Sequence, residues 1–212
     1  MEEGIEMGRQ IGSEEVVAHG LYNLSDVCWR HGWPERGIAA ATEALTIGGV
    51  PLVTHLNLAN NVAISGDLVR ARGLLEEALP LMESEGRVDG TSEANFFLGW
   101  VDLADGNAEG ALERFRTGVG QGLSANDRGT TLYSVFGAAR AQAALGRLEA
   151  AALLLGLHDG THRADGTGMP PVFEEERSEL RQSLLSQLGG EGFSELYTQG
   201  EALPLGKVVD LL

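Results

Sequence analysis

Apolar residues recur along this chain at helical spacing, and four such stretches each run into a glycine, at Gly32, Gly66, Gly106 and Gly146. Successive members of this set lie 34, 40 and 40 residues apart. After each glycine a second apolar-periodic segment opens: PERGIAAATEAL, DLVRARGLLEEAL, NAEGALERF and RLEAAALLL. A helix commonly ends on a residue in the left-handed conformation, where a Cβ is costly, so glycine is expected there. Pro34 suits a first helical turn, and Asp67 and Asn107 suit N-caps.

Aligned on these glycines, other positions fall into phase. Five residues on stand Gly37, Ala71, Ala111 and Ala151, and eight residues back stand Leu24, Leu58, Leu98 and Ala138. The residue after each of the latter is small: Ser25, Ala59, Gly99 and Ala139. Small side chains at fixed points let two helix axes approach while larger ones fill the space between. The pattern predicts an all-α chain of about four antiparallel helix hairpins stacked as an α-α superhelix, with capping helices at the C-terminus.

The expected map has an N-terminal tail over 1–13 and hairpins over 14–157. These pair 14–31 with 34–47, 51–65 with 67–85, 91–105 with 107–119, and 127–145 with 147–157. A loop is expected over 158–171, and capping elements over 172–212, with helices near 172–188 and 191–199. The last twelve residues are expected to cover the open end of the stack.

Composition narrows the function. Of the 212 residues 43% are apolar, mostly Ala and Leu, which favours helix over strand. The net charge of −16 and the single lysine, Lys207, argue against binding nucleic acid. One cysteine, Cys28, precludes an internal disulfide and points to a reducing, cytoplasmic setting. Residues 1–12 lack the pattern of a signal peptide, and no run of 18 apolar residues suggests a membrane span.

Motifs of chemistry are scarce. Lys207 has no Ser or Thr after it, so no phosphate-binding loop forms around it, and GVGQG at 118–122 is expected to be a helix end and connector. No nucleophile elbow, zinc-protease pair or C-x-x-C pair occurs, and Cys28 is expected to be a packed thiol. His158 and His162, with Asp159 and Asp165 nearby, would share a face if helical and could hold a metal. Gly160 between them weakens a helix, so a solvated loop without metal is expected. Glu174, Glu175 and Glu176 fit a first helical turn, where the macrodipole favours acids. No cofactor is implied, and the chain is expected to be non-catalytic.

The rhythm of Leu58-Ala59, Gly66, Ala71, Leu75 and Ala78, repeated in Leu98-Gly99, Gly106, Ala111 and Phe115, resembles the tetratricopeptide repeat. The phrase GDLVRARGLLEEALPLMESEG and the closing FSELYTQGEALPLGKVVDLL resemble the C-terminal repeats of LuxR-type and maltose-activator-like bacterial transcriptional regulators and related predicted ATPases. That resemblance implies a concave groove lined by the first helix of each pair. Carried over residue by residue, it gives Tyr22, Asp26, Asn57, Asn60, Phe96, Trp100, Tyr133, Phe136 and Arg140. Asn60 and Trp100 are expected to open into the groove, and Arg140 to meet a carboxylate. Tyr22 and Asp26 stand where repeats that clamp chaperone tails carry a lysine and an asparagine, which argues against such a clamp. The implied partner is a protein, a peptide (basic, given the net charge) or a small-molecule inducer, bound by the regulatory part of a transcriptional regulator. The alternative is a stand-alone adaptor or a self-associating homodimer.

Overall fold

The computed structural model describes residues 1–48 and 51–212. Its described residues form ten α-helices and two short 3-10 turns, with no strand among them. They divide into two compact units, Met1–Gly90 and Thr91–Leu212.

The first unit contains α1 (Glu2–Gln10), α2 (Glu14–Arg30), α3 (Pro34–Ile47), α4 (Pro51–Ile64) and α5 (Leu68–Ser84). Each helix packs on the one before it, and α2 also packs on α4. This is the consecutive pairing of a helical-repeat fold. The tail expected over 1–13 is instead helical: Ile5 of α1 is buried against α2, with its Cγ1 only 2.5 Å from where a Cβ on Gly20 would stand. Gly20 provides the notch, so a segment too short to be stable alone gains its order from packing.

The second unit contains most of α6 (Val88–Ala104), then α7 (Ala108–Ala125), α8 (Arg128–Ala144) and α9 (Leu148–Asp165). A 3-10 turn over Pro171–Phe173 leads into α10 (Glu174–Glu201), and a second over Leu205–Asp210 packs on α7 and α9. The two expected C-terminal helices are continuous apart from a break at Gly189, at φ 75° and ψ 159°.

Gly32, Gly66, Gly106 and Gly146 all adopt positive φ, between 71° and 90°, which is the conformation that makes them helix ends. Asp67 accepts from the Arg70 N–H at 3.2 Å and Asn107 from that of Gly110 at 3.1 Å. Each such cap is worth about 1 kcal/mol.

Two glycine-containing segments depart from expectation. GVGQG lies inside α7, where a Cβ on Gly118 or Gly122 would meet Ser134 Oγ at 2.5 Å or Thr131 Oγ1 at 2.4 Å. These glycines let α7 approach α8, and α7 ends instead on Asn126, at φ 55°. The loop expected from 158 is helical to Asp165. Gly156 and Gly160 there face the backbone of α10, whose Tyr197 and Glu201 carbonyl oxygens lie 2.1 and 2.7 Å from the respective Cβ positions. Backbone-to-backbone packing of α9 and α10 compensates for the poor helix propensity of both glycines.

Candidate functional site

In the first unit, the residues expected to line a groove are largely engaged in helix packing. Asn57 donates its amide to the Tyr22 carbonyl of α2 at 3.2 Å. Asp26 accepts from Trp29 and Arg30 of its own helix, and Tyr22 is half-buried. Asn60, expected to be open, is 0% exposed. Asn61, which the repeat pattern does not single out, donates to Ser25 O at 2.9 Å and sits over Gly37, where a Cβ would stand 1.8 Å from its Oδ1. A buried amide finds such partners because leaving it unpaired costs more.

In the second unit the expected groove residues converge. Phe96 and Tyr133 face each other at 5.7 Å between ring centroids, and Phe96 also meets Phe97 at 5.0 Å. Onto this face comes a segment from the same chain. Gly166, at φ 65°, ends α9. Residues 167–170 then run without regular structure, and the Pro171–Phe173 turn delivers the Phe173 ring, 1% exposed. It meets Phe96 edge-on at 5.6 Å, Trp100 at 5.9 Å and Tyr133 at 6.5 Å. Burying a phenylalanine so completely stabilises by about 2–3 kcal/mol. Edge-to-face geometry adds to this.

One turn further on, Glu176 pairs with Arg140 at 2.9 Å and also accepts from the Trp100 indole N–H. Burial pushes the Glu176 carboxyl above its ordinary pKa, outweighing the lowering effect of Arg140 and Trp100. Arg140 thus meets a carboxylate, as expected, but one supplied by the chain itself. Phe136 is buried beside His158, with ring centroids 5.7 Å apart.

Behind the segment lies a buried polar node. Asp159 accepts from His158 Nδ1 at 2.7 Å, from Arg177 at 2.8 and 2.7 Å, and from the Tyr197 hydroxyl at 2.6 Å. Burial alone would raise its pKa, but these donors together hold the carboxyl well below the usual carboxylate range. His158 and His162 are buried on α9, not solvated in a loop as expected. His162 Nδ1 bonds Thr167 Oγ1 at 2.8 Å, and both Nε2 atoms are enclosed without a hydrogen-bond partner. Burial, then the neighbouring His158, lowers the His162 pKa to about 4.

Hollows of about 210 and 530 Å³ both touch His162, Thr167 and Gly168. Arg177 and Glu174 help line the smaller one; Leu132, Tyr133 and Arg128 help line the larger. Among the described residues no group of three His, Cys, Asp or Glu side chains is placed to hold a metal ion. Cys28 is fully buried in the first unit, and burial raises its thiol pKa, which disfavours the reactive thiolate.

Five of these side chains, Phe96, Trp100, Tyr133, Phe136 and Arg140, are among those the repeat resemblance implies, and Phe173 is not. The signal for it is a lone aromatic two residues after Pro170-Pro171, at the head of an acidic helix. No protein-family model matches the chain, and no curated protein matches it. No helix among the described residues is long and apolar enough to cross a membrane.

Proposed function

We propose that this chain is a non-catalytic interaction module of the tetratricopeptide-repeat kind, which binds peptide on the α6–α8 face of its second unit. One observation carries the reading: the chain's own Pro171–Phe173 turn and the first turn of α10 already lie there, with Phe173 in an aromatic box and Glu176 on Arg140. A surface that accepts an aromatic anchor, excludes water around it and fixes register with an ion pair has the makings of a peptide site. The resemblance to LuxR-type and maltose-activator-like regulators supports a regulatory, cytoplasmic role in a bacterium, with ligand binding biasing an attached domain. Such coupling requires the ligand to prefer one arrangement over the other.

A peptide-library screen against the full chain, repeated with Trp100→Ala and Arg140→Ala, tests this. Binders that lose affinity in both variants support the reading. Binders indifferent to both substitutions, or a library without binders, count against it.

A further inference from the structure

We infer that the box holding Phe173 takes, in exchange for the chain's own 169–177 segment, a peptide of the same chemistry: a proline-led aromatic followed three residues later by a glutamate and then an arginine. The inference rests on the interaction-module reading and specifies its ligand.

Three anchors define the pattern. Phe173 fills the box formed by Phe96, Trp100 and Tyr133. Glu176 meets Arg140, and Arg177 forks onto Asp159. The receptor side therefore offers one apolar socket, one cation and one anion. A partner segment must match both charges, so the chain's net charge of −16 does not by itself select a basic ligand. Mismatched charges at either position would leave Arg140 or Asp159 uncompensated, which is how a site of this kind rejects other peptides.

The internal segment is attached in a way that allows exchange. Its two ends are held independently of the box. Upstream, α9 is anchored on α10 through the close backbone approach at Gly156, Gly160 and Gly200. Downstream, Leu180, Leu184 and Phe193 of α10 are buried. Between these anchors, residues 165–168 are exposed and an added Cβ at Gly166 or Gly168 would meet nothing within 4 Å. A hollow of about 210 Å³ lies beside Met169, Glu174 and Arg177 of the segment, and one of about 530 Å³ borders Thr167 and Gly168 just upstream of it. A three-residue 3-10 turn has poorer hydrogen-bond geometry than an α-helix and is a weak element to displace. Tethering gives the internal segment a high effective concentration, so a free peptide competes poorly until the segment is loosened.

The test uses a fluorescein-labelled peptide spanning residues 167–180, titrated by anisotropy into the full chain and into the double variant Phe173→Ala, Glu176→Gln. Circular dichroism establishes folding. Glu176→Arg, which repels Arg140 without leaving a cavity, substitutes if the double variant fails to fold. The expected result is binding to the opened chain about tenfold or more tighter than to the parent, since apparent affinity scales with the fraction of open sites. Replacing the peptide's phenylalanine by alanine weakens binding by about tenfold or more. Introducing Arg140→Glu into the opened chain abolishes binding, and a peptide with lysine in place of the paired glutamate restores it.

A folded, opened chain that ignores the peptide overturns the inference, as do equal affinities in opened and parent chains or indifference to the peptide's phenylalanine. If the opened chain forms concentration-dependent dimers and binds no peptide, a second copy is the occupant and the inference falls. If the opened chain takes other library peptides through Trp100 and Arg140 but not this one, the inference falls while the module reading stands. If it takes none, both fall.

Discussion

Arg177 forks onto Asp159, with Nε donating to Oδ1 at 2.8 Å and Nη2 to Oδ2 at 2.7 Å. The pair joins the first turn of α10 to the buried side of α9, with His158 and Tyr197 donating to the same carboxylate. Asp159→Ala would leave three donors facing an empty site. Breaking a buried, networked ion pair from one side costs about 3–5 kcal/mol. Urea melts should show a loss of that order for Asp159→Ala and a smaller one for Tyr197→Phe, which removes the hydroxyl that donates to Asp159 and keeps the ring.

The polar node makes stability depend on pH in two windows. His162 has its pKa depressed from 6.5 to about 4 in the folded chain. Above pH 6.5 it is neutral in both states and its contribution is fully present. As pH falls from 6.5 towards 4 the unfolded chain takes up a proton that the folded chain resists, and stability falls by about 2–3 kcal/mol. Melts at pH 7 and pH 4.5 should show this loss, and His162→Gln should reduce it. The Asp159 carboxyl is also depressed, so its contribution holds above its unfolded pKa near 4 and drains only in stronger acid.

Glycines within helices should separate into two classes on substitution. A Cβ on Gly156 would lie 2.1 Å from the Tyr197 carbonyl oxygen, which is backbone and cannot swing aside. Gly156→Ala should therefore push α9 from α10 and cost about 3 kcal/mol or more. Gly120, inside α7, has nothing within 4 Å of its Cβ position, and Gly120→Ala should stabilise by about 0.5–1 kcal/mol. Differential scanning calorimetry of the two variants checks the contrast.

In the first unit, Asn61 bridges α4 to Ser25 of α2 and fills the space above Gly37. Asn61→Ala leaves the buried Ser25 carbonyl without this donor and should cost about 1–3 kcal/mol. Gly37→Ala collides with the Asn61 side chain. Combined, the two should cost less than the sum of their separate effects, because each relieves the other; a double-mutant cycle measures that coupling.

The sequence by itself determined the hairpins. The phase of Gly32, Gly66, Gly106 and Gly146, and the caps at Asp67 and Asn107, are local matters of backbone conformation and nearest-neighbour hydrogen bonding, so they are legible in one dimension. The resemblance to the tetratricopeptide repeat, rather than spacing alone, grouped Phe96, Trp100, Tyr133, Phe136 and Arg140 as residues of one groove. Only the tertiary structure decided what a glycine inside a helix is for. Gly160 looks like a breaker until the backbone of α10 lies against it, and Gly118 and Gly122 look like a connector until Ser134 and Thr131 cover them. The occupant of the aromatic box was likewise undecidable from spacing. Phe173 lies 77 residues from Phe96 in the chain, and the turn that delivers it draws its stability from the rings it meets rather than from its own residues.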